Sequence, residues 1–166
     1  MAQKDTVQDL LADQIRGLYS AETQQYTAMP KMAQRTHNPE LKACFKKHLA
    51  ETMCQVSRLE QVAQLLGINA NGKKCLGIAG VLMECAEALE DRGDERVLEL
   101  AILGVESRVE HYEIACYVSA MSLAARLGEL EVVALLLKNL SQEEAAEQAF
   151  RKIAHSLLPM APAVAA

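Results

Sequence analysis

A chain of 166 residues is long enough for one domain around a single core, and its net charge of −5 with a pI near 5.4 argues against a nucleic-acid binder. No basic patch or RNA-type aromatic motif appears. Half of the residues are hydrophobic (51%) but only 4% are aromatic, a balance rich in Ala, Leu, Glu and Gln that favours helix over sheet. Met1 to Leu10 contains no apolar signal region, and no apolar run is long enough to span a bilayer, so a soluble cytoplasmic protein is expected, with neither nucleic acid nor membrane as partner. The five cysteines include no C-x-x-C pair, which fits a reducing compartment.

The first predicted helix runs from about Asp5 to Arg35, with the inward series Val7, Leu11, Ile15, Leu18, Glu22, Tyr26, Met29 and Ala33. Pro30 falls inside this pattern, so a kink or local break is expected there. Asn38-Pro39-Glu40 then reads as a helix start, with Asn as cap and Pro at the first helical position. The second helix reaches Leu66 and stops at Gly67, its inward series being Leu41, Phe45, His48, Glu51, Gln55, Leu59, Val62 and Leu66. A loop to about Lys74 leads into a short apolar helix, Leu76 to Leu89, and a charged turn at Glu90 to Asp94. The third long helix spans about Glu95 to Leu127, facing inward with Leu98, Ile102, Val105, Val109, Glu113, Cys116 or Tyr117, Ala120 and Leu127. The fourth, about Leu130 to Leu158, is stopped by Pro159 and carries the stripe Val133, Leu137, Leu140, Glu143, Glu147, Phe150, Ala154 and Leu157. Two tight helical hairpins joined by a long crossover make an all-α, ferritin-like four-helix bundle with a short fifth helix. One domain over 1–166 is expected, with flexible tails at about 1–4 and 160–166.

Each long helix carries a glutamate inside its apolar stripe: Glu22, Glu51, Glu113 and Glu143. A buried carboxylate is costly unless it is paired or binds a metal. Glu22 lies sixteen residues before the turn at Asn38 and Glu51 thirteen after it, while Glu113 and Glu143 each lie fifteen from Gly128. At about 1.5 Å per residue all four sit roughly 20–24 Å from a turn, near one level of the bundle. A weak internal repeat agrees: Glu22 and Glu113 are each followed four residues on by Tyr26 and Tyr117, Glu51 and Glu143 by Gln55 and Glu147. Glu110 shares a face with Glu113, and His48 stands one turn from Glu51. Glu147 joins these as a further candidate ligand. Carboxylates with an imidazole are a ligand set for iron or manganese, and two such ions are the expected cofactors. The competing reading makes these glutamates solvated flanks or partners of Arg16 or Arg108. No glycine-rich phosphate loop or serine nucleophile arrangement is present, so hydrolase chemistry has no support.

The segments Leu18-Tyr19-Ser20-Ala21-Glu22-Thr23-Gln24, Pro30-Lys31-Met32-Ala33, His48-Leu49-Ala50-Glu51-Thr52, Arg58-Leu59-Glu60-Gln61-Val62 and Val109-Glu110-His111-Tyr112-Glu113-Ile114-Ala115-Cys116-Tyr117 resemble the YciE/YciF-type ferritin-like stress proteins. Leu140-Ser141-Gln142-Glu143-Glu144-Ala145 is a weaker match. The resemblance implies a ferritin-like bundle, usually a homodimer, with a di-metal site at Glu22, Glu51, Glu110, Glu113 and Glu143, in a family associated with stress responses. The chain departs from better-known di-iron bundles in lacking Glu-x-x-His: Glu51 is followed at three by Cys54 and Glu143 by Ala146. The function expected is a dinuclear carboxylate protein, bridged by Glu51 and Glu143, that meets dioxygen or peroxide as a small-molecule oxidant. The alternative is a non-catalytic helical dimer with a structural or partner-binding role.

Overall fold

The computed structural model describes residues 4–90 and 92–158; the expected tails, apart from Lys4, fall outside the described residues, as does Asp91 of the charged turn. Five helices, and among the described residues no strand, follow in the order α1 (Val7–Arg35), α2 (Pro39–Leu65), α3 (Leu76–Glu90), α4 (Glu95–Leu127) and α5 (Leu130–Leu157). Their ends are set by local chemistry. Thr6 and Asp9 form a reciprocal capping box at the start of α1, the Thr6 hydroxyl accepting from the Asp9 amide at 3.1 Å and the Asp9 carboxylate from the Thr6 amide at 3.1 Å. Asn38 accepts from the Glu40 and Leu41 amides to open α2, and Asp94 from those of Arg96 and Val97 to open α4. Gly67, at φ 63°, lets α2 end with the Ile68 amide bonded to the Ala63 carbonyl and its own amide to that of Gln64. Gly128, at φ 77°, ends α4 through the same pair of bonds.

α1 packs on α2 and α4, and α5 packs on the same two helices, while α3 lies against α1 and α4. The interior divides into two apolar clusters. One gathers Leu11, Ile15 and Leu18 of α1 with Leu59 and Val62 of α2, Tyr117, Ala120 and Ala124 of α4, and Val132, Leu136 and Leu140 of α5. The other joins Met29 and Met32 of α1 with Leu41 and Phe45 of α2, Ile78 and Cys85 of α3, Leu98 and Ile102 of α4, and Phe150 and Ile153 of α5. The start of α1 thus meets the end of α4, and the end of α2 meets the start of α5. Between the two clusters lies a layer of buried polar side chains. Among the described residues no helix is long and apolar enough to cross a membrane.

Several inward assignments shift. Helix α1 continues unbroken through Pro30, which is exposed. Val7 and Tyr26 face solvent, at 46% and 40% exposure, because the buried stripe of α1 runs Ala21, Glu22, Gln25, Met29 and passes Tyr26 by. On α5 the buried series is Val132, Leu136, Asn139 and Leu140, one residue from the expected Val133 and Leu137. Arg16 and Arg108 do not meet the inward glutamates: Arg16 donates to the Asn69 carbonyl, and Arg108 pairs with Glu84 at 3.1 Å.

One buried acid is purely architectural. Glu99 Oε1 accepts from the Thr36 hydroxyl at 2.9 Å and from the His37 and Asn38 amides at 2.6 and 2.7 Å, clamping the α1–α2 turn to α4. Burial pushes its carboxyl up, but the three donors outweigh that and hold it below the usual range. Glu99→Ala is expected to cost roughly 2–3 kcal/mol in urea unfolding at neutral pH, by stranding those donors. The depressed carboxyl contributes stability above its unfolded pKa and loses it as the pH falls through the folded value, so the gap between wild type and variant should close in acid.

Candidate metal centre

The middle layer is built from five fully buried glutamates, Glu22 of α1, Glu106, Glu110 and Glu113 of α4 and Glu143 of α5, with His48 of α2 at 1% exposure. Helical spacing explains α4: positions 106, 110, 113 and 117 recur every three or four residues and so share one face. The ligand atoms form two groups, each within 4.8 Å of one another: His48 with Glu106 and Glu110, and Glu22 with Glu113 and Glu143. His48 Nε2 stands 3.0 Å from Glu110 Oε1 and 3.9 Å from Glu143 Oε2, so Glu143 lies against both groups.

Amides and one phenol hold these carboxylates in place. Gln25 Nε2 donates to Glu110 Oε1 at 3.0 Å and lies 3.1 Å from His48 Nε2. Gln55 Nε2 donates to Glu143 Oε1, and the Tyr117 hydroxyl to Glu22 Oε1. Asn139 Nδ2 donates to the Tyr117 oxygen at 2.9 Å, and the Asn139 carbonyl oxygen accepts from Arg58 at 2.7 Å. Phe150 closes the layer from below, edge-on to His48 with ring centroids 5.7 Å apart.

The layer is short of positive partners. Both oxygens of Glu106 and of Glu113, Oε2 of Glu22, Glu110 and Glu143, and His48 Nδ1 are buried without a hydrogen-bond partner. The electrostatics follow. Burial pushes the Glu106 carboxyl up to about 7 and the Glu110 carboxyl up to about 8. Glu22, Glu113 and Glu143 are driven well above the usual carboxylate range, by burial first and then by neighbouring carboxylates, Glu143 against Glu22, Glu22 against Glu113 and Glu110 against Glu143. Buried carboxylates crowded in this way keep their protons unless a cation replaces them.

Of the seven candidate ligands, Glu22, His48, Glu110, Glu113 and Glu143 converge. Glu51 stands aside because the buried stripe of α2 runs His48, Thr52, Gln55; its Oε1 pairs with Lys47 at 3.1 Å, while its Oε2 is buried and unpartnered. Glu147, at 8% exposure, lies one turn beyond Glu143 and pairs with Arg151 at 3.4 Å. Glu106 is the residue that sequence reasoning passed over in favour of Val105. Stepping the Glu113–Glu110 stripe back by one more turn would have found it. Cys54 is exposed, and Tyr26 is on the outside, so of the two repeat-related tyrosines only Tyr117 reaches the layer.

Comparisons with known proteins place this geometry in context. The model of a family described as a domain of unknown function, DUF892, matches residues 6–161. Protein YciF of Escherichia coli K12 is 33% identical over 143 residues, 86% of either chain. The crystal structure of the E. coli stress protein YciF superposes with a TM-score of 0.89 at 31% identity, covering 93% of this chain and 98% of that one. YcfI, a candidate structural protein from Rhodopseudomonas palustris, superposes at 0.86 with 38% identity over 91% and 98% of the two chains. A Xanthomonas campestris pv. campestris protein follows at 0.74 with 24% identity, a likeness of fold alone.

Proposed function

This chain belongs to the DUF892 family of YciF-like proteins, and from that premise we propose that it is a ferritin-like four-helix protein whose buried carboxylate layer binds two iron or manganese ions and meets dioxygen or peroxide in a stress response. The observation that carries the reading is the set of unpartnered, fully buried carboxylate oxygens on Glu22, Glu106, Glu110, Glu113 and Glu143. Hard oxygen donors with one imidazole suit ferrous or manganous ions, and a cation in each group would supply the charge that the layer lacks. Glu22, Glu113 and Glu143 would hold one ion and His48, Glu106 and Glu110 the other, with Glu143 placed to serve both. Glu51 Oε2 is an additional donor at the edge.

Such ions, when bound, supply one-electron redox steps toward dioxygen or peroxide. The protein's own part is to hold and shield. Tyr117, Gln55 and Gln25 each direct a donor at one carboxylate oxygen, leaving the other oxygen of Glu22, Glu143 and Glu110 free to face a cation. The apolar clusters above and below exclude bulk water and strengthen every interaction in the layer. E. coli YciF is described as a stress protein, and the stress role proposed here is taken from that relative.

Elemental mass spectrometry of the purified protein tests the proposal. About two iron or manganese ions per chain are expected, lost when Glu22 and Glu143 are both replaced by alanine. Absence of both metals, even after anaerobic loading, would remove the metal reading and leave a helical interaction protein. That second reading has its own support: α3 leaves Leu76 and Met83 at 75% and 67% exposure, and the relative YcfI is described as a candidate structural protein. In that case a homodimer closed over α3 is the expected functional unit, visible in the native mass.

A further inference from the structure

On the outer side of α1 and α4, away from the carboxylate layer, a cleft of about 520 Å³ is walled by α1, by the end of the crossover loop and by α4. Two thiols line it, the buried Cys75 at the last loop position before α3 and the half-buried Cys116 on α4. Tyr112 stands beside both: Cys75 Sγ lies 3.3 Å from its Oη, and Cys116 follows it by one turn on α4, lining the same cleft. The geometry is held from several sides. Ser20 accepts from the Cys75 amide at 3.0 Å, and Gln24 donates to the Cys75 carbonyl at 3.1 Å. The Tyr112 ring rests on the first turn of α3, where a side chain at Gly77 would place its Cβ 2.5 Å from the ring. Lys74 lines the same cleft, as does Lys73, which is paired with Asp13 at 2.6 Å.

From this arrangement we infer that Cys75 and Cys116 are a peroxide-oxidised dithiol pair, closing a disulfide that ties the crossover to α4. The reaction balances with hydrogen peroxide as oxidant. The Cys75 sulfur attacks one peroxide oxygen, an S–O bond forms as the O–O bond breaks, and one water leaves. The Cys116 sulfur then attacks the Cys75 sulfenate, an S–S bond forms as the S–O bond breaks, and a second water leaves. Two thiols lose two electrons in total and one peroxide is reduced to two waters. Cys75 takes the first step because it sits at the end of the loop, beside Lys74 at the border of the cleft, whereas Cys116 is fixed within α4. Closing the bond requires Cys75 to leave its bonds to Ser20 and Gln24 and Tyr112 to swing out from beside its sulfur. Of the other cysteines, Cys54 is exposed on α2 and Cys44 is half-buried, while Cys85, buried in the same apolar cluster as Cys75, lines a different cleft between α1 and α3. The inference does not depend on the metal reading.

The test uses metal-free full-length protein, with stoichiometric hydrogen peroxide followed by alkylation of the remaining thiols and non-reducing peptide mapping. A linked pair of the tryptic peptides 75–92 and 109–126 is expected, with two thiols lost per chain and recovered by dithiothreitol. Because peptide 75–92 also contains Cys85, the link should persist in Cys85→Ser and vanish in both Cys75→Ser and Cys116→Ser, each with unchanged far-ultraviolet circular dichroism. The oxidised protein should melt several degrees higher than the reduced one, since the cross-link closes a loop spanning two elements. Oxidation confined to Cys54, a link that survives Cys75→Ser, or thiols at 75 and 116 that remain alkylatable after peroxide would overturn it.

Discussion

Stripped of metal, the protein should become less stable as the pH rises from about 4.5 to about 8. The carboxyls of Glu106 and Glu110 stand at about 7 and about 8 in the fold, against an ordinary value of 4.5. A carboxyl raised on folding binds its proton more tightly in the native state. Its stabilising contribution is therefore complete below the unfolded pKa and disappears as the pH passes through the folded one. Raising a carboxyl by one pH unit corresponds to about 1.4 kcal/mol, and with the two groups sharing one site a combined loss on the order of 5 kcal/mol is expected. For a chain of this size that is a fall of about 10–20 °C in melting temperature. Bound manganese should reverse the slope. Cation and proton compete for the same oxygens, so metal affinity grows and protons are released as the pH increases. Melting curves of chelator-treated and manganese-loaded protein across this range check both halves. A metal-free protein whose melting temperature is flat or rises between pH 5 and 8 would contradict the crowding of unpaired carboxylates.

Glu113→Gln should change metal binding and metal-free stability in opposite directions. Both Glu113 oxygens are buried without partners, and its carboxyl is driven up by burial and by the charges of Glu22 and Glu143. An amide of the same shape is neutral in both states and needs no proton taken up on folding, so the cost of holding Glu113 neutral in the metal-free layer disappears and a gain of about 1–3 kcal/mol in urea unfolding at neutral pH is expected. The same change takes an anionic donor from the group with Glu22 and Glu143. Affinity for manganese should fall by more than about 100-fold, exceeding the 10–100-fold typical of groups that only orient a ligand. Calorimetric titration and urea unfolding of the metal-free variant make the comparison. A purely architectural polar layer predicts the reverse, lower stability with any metal binding unaffected. By contrast Tyr117→Phe, which removes the donor to Glu22 and the acceptor of Asn139 but no ligand, belongs to the smaller class.

How much of this was legible before folding depends on the range of the interaction concerned. The helices announce themselves locally. Thr6 and Asp9, Asn38 with Pro39, Asp94, Gly67 and Gly128 each act on the backbone within a few residues, and all five long-helix boundaries they mark lie within a residue or two of expectation. The level of the carboxylates was also accessible, since residue counts from two tight turns set height along a helix at a fixed rise. Rotation is less forgiving. A residue turns about 100° from its neighbour, so a one-residue error in the stripe puts Leu137 for Leu136, Tyr26 for Gln25 or Glu51 for Thr52. Polar residues on the inner face hide the stripe most, because Gln25, Thr52 and Asn139 do not read as buried until their partners are known.

Sequence alone, then, determined that this chain is all helical, where its long helices begin and end, and that Glu22, Glu51, Glu113 and Glu143 lie near one level of it, with Glu110 and His48 one turn away. Tertiary structure decided the rest: that these residues sort into two groups rather than one, that Glu106 completes one of them, and that Glu51 stands at the edge beside Lys47. The physical reason is that caps and periodicity act within a single turn of helix. Which carboxylates face each other depends on the rotation of four helices about their own axes, and that rotation is set by the packing of apolar side chains far apart in the chain, above and below the layer.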